Sequence, residues 1–191
     1  MYICFIIFMY DWKRLIMKRK IKEFLSSSIR FIVTILLVFF VMIYVFSLTQ
    51  VVGNSMKDTL VHGDILILNK FKYHFAKINR RDIVVFQQGD SSFYIKRIIG
   101  LPGETIKIQN NCVYINGRCL IERYLKDNLV YEDFNLSDLG YDVIPKDMYF
   151  VLGDNRENSE DSREFGLIKK EKISGKIDFR IWPITDLKAF R

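Results

Sequence analysis

Histidine, proline and cysteine are all scarce in this 191-residue chain, at two, three and three residues. His62 and His74 are the only histidines, and neither stands in a motif with Ser or Cys, which all but excludes a histidine-based nucleophilic triad. CxxC and HxxxH spacings and clusters of His with carboxylates are missing too, so the usual metal-site patterns do not occur. A hydrolase built on this chain has to use some other base. Three cysteines are too few for a disulfide-stapled miniprotein, and three prolines with ten glycines exclude collagen-like and Pro/Gly-rich disordered classes.

Acidic charge is scarce only at the N-terminus. Residues 1–47 hold seven basic side chains (Lys13, Arg14, Lys18, Arg19, Lys20, Lys22 and Arg30) against Asp11 and Glu23. The remaining residues carry a net charge of only +2 out of the chain's +7. The basic pI therefore describes the N-terminus, and the chain as a whole does not read as a nucleic-acid binder.

What is abundant is apolar sequence. Phe31–Leu48, FIVTILLVFFVMIYVFSL, contains no charge, and only Thr34 and Ser47 are polar. As a helix it is about 27 Å long, close to the roughly 30 Å of a bilayer's hydrocarbon core, and Thr49–Val52 can extend it. A buried core helix usually keeps a polar face, and this run is apolar all round. The basic residues precede the span, whereas Thr49–Lys70 contains only Lys57 and Lys70. The positive-inside rule then keeps the N-terminus cytoplasmic and puts residues 53–191 outside. The run is longer than a signal-peptide core, and Leu48-Thr49-Gln50-Val51-Val52 is too bulky for a small-x-small cleavage site, so it reads as an uncleaved anchor. MYICFIIFMY at the start is a second apolar run, too short to span as a helix.

The organisation expected is a basic cytoplasmic segment at 1–30, an anchor at 31–52, and a mainly β extracytoplasmic domain at 53–191. Ile65–Leu68 and Ile83–Phe86 are apolar on both faces, as strands between layers are. Phe93–Ile99 is a further strand, closed by Leu101-Pro102-Gly103-Glu104, a type II turn signal. Cys112–Ile115 and Arg118–Ile121 flank Asn116-Gly117, a strong hairpin signal. Met148–Leu152 and Ile173–Trp182 complete the set. In the last, Ile173, Ile177, Phe179 and Ile181 alternate with Ser174, Lys176, Asp178 and Arg180, as in a half-buried strand. In the hairpin Tyr114 faces Cys119 and Cys112 faces Ile121, so the two thiols are diagonal neighbours at the edge of bridging distance, which leaves a disulfide open.

Three segments concentrate chemistry. Gly53-Asn54-Ser55-Met56-Lys57-Asp58-Thr59-Leu60 puts a serine on a turn just after the anchor. In Tyr94-Ile95-Lys96-Arg97-Ile98-Ile99-Gly100, period two puts Lys96 on one face between Tyr94 and Ile98. Desolvation there lowers an amine's pKa, and making it neutral near pH 7 to 8 from about 10.4 costs about 4 kcal/mol. Gly153-Asp154-Asn155-Arg156-Glu157-Asn158-Ser159-Glu160-Asp161-Ser162-Arg163 packs amides, hydroxyls and charges into a loop able to hold its own side chains in place. Taken singly, each has a plain structural reading: a capping serine, a snorkelling edge lysine and a solvated loop.

Together, these segments resemble bacterial type I signal peptidase, the Ser–Lys serine protease that removes signal peptides from exported preproteins, in its short Gram-positive form. GNSMKDTL resembles the nucleophile box and GDILILNK the one after it. RRDIVVF with YIKRIIGLPGE resembles the lysine box, and GDNRENSEDSREFG the last. The resemblance implies an antiparallel β catalytic domain of the signal-peptidase type, with about residues 106–147 as a smaller β-ribbon insertion. It implies Ser55 as nucleophile, Lys96 as general base, and Ser159 as the hydroxyl that orients the amine. Asp161, Arg163, Arg97 and Asp154 would form a supporting network, and Met56, Leu60, Tyr94 and Ile95 would line shallow pockets for small substrate residues. No cofactor or metal is implied, and the partners are preproteins and a lipid bilayer, with no nucleic acid. Two departures stand out: Asp58 where many members have Pro, and Gly53 where some carry a hydroxyl that serves as a second oxyanion donor. The rival readings are a self-cleaving repressor, which the membrane span opposes, and a catalytically impaired membrane-tethered β domain acting as a binding or structural module.

Overall fold

The structure, a computed structural model, describes residues 2–71, 77–89, 92–125 and 132–190; His74 lies outside these. The chain divides into two compact units, residues 1–44 and 45–191.

The first unit is one helix, α1 (Tyr2–Val45), of which Met17–Val45 is long and apolar enough to cross a membrane. The helix ends seven residues earlier than the sequence reading puts the end of the anchor. Phe46–Gln50 is not helical but forms strand β1, fully paired with β2 (Ile65–Asn69) from Phe46↔Asn69 to Gln50↔Ile65. The physical reason is that backbone groups of 46–50 find ladder partners on β2, while intrinsic apolarity alone does not distinguish a short strand from the end of a helix.

The second unit is built from antiparallel strands. β3 (Ile83–Gln88), β4 (Ser92–Gly100), β9 (Met148–Leu152), β10 (Ile168–Lys169) and β11 (Ile173–Trp182) join β1 and β2 in the order β1-β2-β11-β3-β4-β9-β10, and β12 (Lys188–Ala189) pairs with β11. A smaller sheet, in the order β7-β6-β5-β8, comprises β5 (Ile106–Gln109), β6 (Cys112–Ile115), β7 (Arg118–Cys119) and β8 (Phe134–Asn135). Beside three short 3-10 helices, the domain's described part has one short α-helix, α2 (Ser162–Phe165), capped by the Asp161 carboxylate, which accepts from the Arg163 N–H.

β3 shows why a continuous apolar run reads as a doubly covered strand. Ile83 and Val85 enter a cluster with Val51, Met56, Leu60 and Ile177, while Val84 and Phe86 enter another with Ile98, Tyr149 and Val151. A third cluster joins the two sheets, with Ile106, Ile108 and Val113 packing on Phe150 and Leu152. Gly100 permits this approach, since a Cβ there would stand 2.4 Å from Ile144 Cδ1. The turns form as read: Gly103 has φ +83° after Pro102, and Asn116-Gly117 both have positive φ. Tyr114 faces Cys119, and Cys112 and Cys119 are joined as a disulfide across Cα atoms 6.0 Å apart.

β11 differs from its alternation. Lys176 and Arg180, expected outward, are 4 % and 5 % exposed, whereas Phe179 is 46 % exposed. A register shift between Ile177 and Phe179 breaks the period, and the buried cations are held by carboxylates: Lys176 by Asp82 at 2.5 Å and Arg180 by Asp64 at 2.9 Å.

Candidate active site

Ser55 lies in the tight turn between β1 and β2. Lys57 N–H donates to Asn54 O, and the Thr59 and Leu60 N–H groups both donate to Met56 O. Asp58 has φ +83°, a conformation that aspartate tolerates and proline cannot adopt. The turn is therefore closed by a left-handed residue at the position where many resembling sequences carry Pro. Below it, Met56 and Leu60 are buried in the core. Arg180 donates to Thr59 O and Arg97 to Thr59 Oγ1, so two buried guanidinium groups hold the far end of the turn. His62, read only as a poor candidate base, accepts the Gly53 N–H through Nδ1 at 3.3 Å.

Lys96 is on β4, between Val84 of β3 on one side and the β9 neighbours of the next residues on the other. Its side chain is 2 % exposed. Among the described residues its Nζ has one hydrogen-bond acceptor, Ser159 Oγ at 3.0 Å. Burial lowers its pKa to about 8, against the opposing pull of the Asp161 and Glu160 charges. Those carboxylates do not pair with the amine. Asp161, fully buried, accepts from Arg163 through both oxygens (2.9 and 3.0 Å) and from the Gly153 N–H at 3.1 Å. Tyr94 stacks on Phe165 with ring centroids 6.1 Å apart, and Ile95 packs partly on the core. Both remain half-buried, unlike Met56 and Leu60.

The loop after β9 joins these two parts. Asn155 N–H donates to Ser55 O at 3.0 Å, and its side-chain amide donates to Asn54 O at 3.1 Å. Gly153 fits between Ser55 and Ser159: a Cβ there would stand 2.0 Å from Ser159 Oγ and 2.5 Å from Ser55 O. Only glycine leaves room for both. Arg97 pairs with Asp154 through two hydrogen bonds at 2.8 and 2.5 Å, with the carboxylate fully buried. The post-β9 loop thus bonds to the nucleophile turn through Asn155 and to Lys96 through Ser159; among the described residues no hydrogen bond joins Ser55 to Lys96 directly, and there is no cluster of metal-ligating groups.

Four contributors were not singled out by sequence. Asn155 and Arg156 stand inside the quoted polar loop, but nothing in its composition ranks them above their neighbours. Glu122 and Tyr124 lie in Leu120–Leu125, which has no motif at all. Arg156 donates to Glu122 at 3.0 and 2.6 Å and to Gly153 O at 2.9 Å, and Tyr124 lies beneath the Arg97 guanidinium at 4.0 Å.

Comparison with known proteins gives the family of the chain. The family described as "Signal peptidase, peptidase S26" matches residues 23–182. Signal peptidase I of Bacillus caldolyticus is 44% identical over 149 residues, 74% of this chain and 82% of that protein. Signal peptidase IB of Staphylococcus aureus is 36% identical over 179 residues, 87% of this chain and 94% of that protein. A crystal structure of a signal peptidase I from Enterococcus faecalis, 38% identical, covers 52% of this chain and 96% of its own, with a TM-score of 0.48. The chain belongs to the signal peptidase family, peptidase S26, whose members are serine-type hydrolases that remove signal peptides.

Proposed function

We propose that this signal peptidase works through a Ser55–Lys96 dyad on a membrane-tethered domain. The observation that carries the reading is the state of Lys96: a buried amine that donates to a hydroxyl and has no carboxylate bonded to it, with its pKa lowered to about 8. Such an amine is neutral often enough near that pH to take a proton. By donating one N–H to Ser159, it keeps its lone pair for the nucleophile's proton; a carboxylate in place of Ser159 would hold it as an ammonium.

The reaction is acyl transfer. Ser55 Oγ attacks the carbonyl carbon of the scissile peptide as Lys96 takes the hydroxyl proton. Collapse of the tetrahedral intermediate breaks the C–N bond, and the lysine returns that proton to the leaving amine. Water activated by the same amine then clears the acyl-enzyme. The Ser55 N–H is the first oxyanion donor, a contribution of about 3 kcal/mol for such groups. Arg163, Asp161, Arg97 and Asp154 hold one another and the loop, so Ser159 keeps its orientation. Ile95, packed over Met56 and Leu60, and Tyr94, packed on Phe86 and Phe165, supply the accessible apolar surface against which small substrate residues rest.

The apolar stretch ending at Val45 anchors the enzyme, with the basic N-terminus cytoplasmic and the catalytic domain outside. Only nine residues separate Val45 from Ser55. Enzyme and signal peptide are then confined to the same surface, which raises their effective concentration.

Incubation of the detergent-solubilised full chain with a preprotein, beside Ser55→Ala and Lys96→Ala, tests this reading. Wild type processes and both variants are inactive although folded. Near-normal cleavage by either variant contradicts the dyad, and no cleavage by wild type from about pH 7 to 10 favours a binding module instead.

A further inference from the structure

The post-β9 loop is held from outside by residues that belong to neither the nucleophile turn nor the lysine strand. Glu122 and Tyr124 follow β7, on the smaller sheet. The Glu122 carboxylate receives both terminal nitrogens of Arg156, with the two side chains 8 % and 1 % exposed, and it also accepts the Tyr124 hydroxyl. The third donor of Arg156, Nε, goes to Gly153 O at 2.9 Å. This guanidinium therefore has its two terminal nitrogens committed to the segment after β7 and its Nε to the peptide that separates Ser55 O from Ser159 Oγ. A second path runs parallel. The Tyr124 ring underlies Arg97, whose guanidinium grips Asp154, the residue after Gly153, and Thr59 of the nucleophile turn.

The chemical logic is asymmetric. A bidentate arginine–carboxylate pair fixes a guanidinium in both distance and plane. Fixing that plane aims Nε, and Nε fixes the Gly153 carbonyl. The Gly153 peptide is where an error matters most, since the space beside it has room for no carbon atom. The same loop supplies the Asn155 N–H that holds Ser55 O. The pair is buried at a desolvation cost that two well-packed apolar residues would avoid, so stability by itself is a poor explanation for it.

We propose that Glu122 and Tyr124 are positioning residues for peptide cleavage: acting through Arg156 and Arg97, they set the loop that seats Ser55 and the Ser159 partner of Lys96. The segment that follows the smaller sheet's β7 is then part of the catalytic apparatus. The proposal rests on the dyad reading above.

The test compares full-chain wild type, Glu122→Gln, Tyr124→Leu, the double variant Glu122→Met/Arg156→Met, and Ser55→Ala on one signal-peptide substrate, with circular dichroism as the fold check. Glu122→Gln keeps the shape and removes the charge. The double variant removes both charges of the buried pair at once and so keeps the fold better than Glu122→Ala, which removes one. A misplaced loop costs turnover, so kcat falls by about 10- to 100-fold in the double variant and less in Glu122→Gln, with KM within about threefold. A loosened loop also admits water to Lys96, so the rising limb of kcat/KM against pH moves to higher pH. A merely structural role would lower the folded fraction and leave that limb in place. Folded Glu122→Gln and Tyr124→Leu with wild-type kcat and an unmoved limb overturn the proposal, as does a fall in activity with the limb unmoved. An active Ser55→Ala would instead overturn the dyad, so the two failures are distinguishable.

Discussion

Two lysines in this domain are almost equally buried, 2 % exposed at Lys96 and 4 % at Lys176, yet they end in opposite chemistry. Lys176, on β11, donates to Asp82 at 2.5 Å, and Asp82 is itself fixed by the Asn79 N–H. Lys96, two strands away on β4, finds a hydroxyl. Its nearby carboxylate, Asp161, has both oxygens occupied by Arg163 and takes the Gly153 N–H besides. Burial alone therefore does not make a base. What matters is that Arg163 and the Gly153 N–H have claimed the buried carboxylate beside Lys96, so that its amine bears the desolvation cost without an ion pair to offset it.

Replacing each lysine by Met separates the two sites most widely. Lys96→Met abolishes processing and stabilises the fold. The pKa of Lys96 lies below its unfolded value, so folding is penalised while the native amine is protonated. This penalty is full below pH 8 and disappears as pH rises past 10.5, and the shift corresponds to about 3 kcal/mol at neutral pH. Lys176→Met breaks the buried pair with Asp82 and destabilises by about 3–5 kcal/mol, while the folded fraction retains turnover. Denaturant unfolding at pH 7 with a cleavage assay on the same samples reads both, and a destabilised Lys96→Met would break the contrast. A smaller effect is expected at Ser159. Ser159→Ala removes the amine's acceptor but neither reacting group, so kcat falls by about 10- to 100-fold without the complete loss expected for Ser55→Ala. A wild-type kcat in Ser159→Ala would show that the hydroxyl does not orient Lys96.

The comparison also shows what could be read in advance. Lys96 and Lys176 differ in sequence: Lys176 falls on the polar face of an alternating strand, whereas Lys96 shares its face with Tyr94 and Ile98. That apolar face marks Lys96 for desolvation and the resemblance to a family motif assigns it a role, whereas nothing in the sequence shows the burial of Lys176. Its pairing depends on Asp82, ninety-four residues away, and on a register shift that no local pattern encodes. Local signals fared better: the Asn116-Gly117 hairpin, the Leu101–Glu104 turn and the β9 and β11 boundaries all follow from turn chemistry and β-propensity. β1 was absorbed into the anchor because Phe46–Leu48 continues an apolar run and its strand identity comes from pairing with β2. Glu122 and Tyr124 carried no signal, since their contacts are formed only when the smaller sheet folds onto the loop. Long-range pairing, the common cause of these misses, is invisible to a window moving along one chain.

The most direct test is to titrate the Lys96 amine itself. In protein labelled with 13C and 15N at lysine, the Lys96 resonance is the one lost in Lys96→Met, and its chemical shift can be followed against pH. A midpoint near pH 8 is the expected result. A midpoint at the ordinary lysine value of about 10.4 would contradict the account, because the amine would then be an ammonium where the enzyme needs a base.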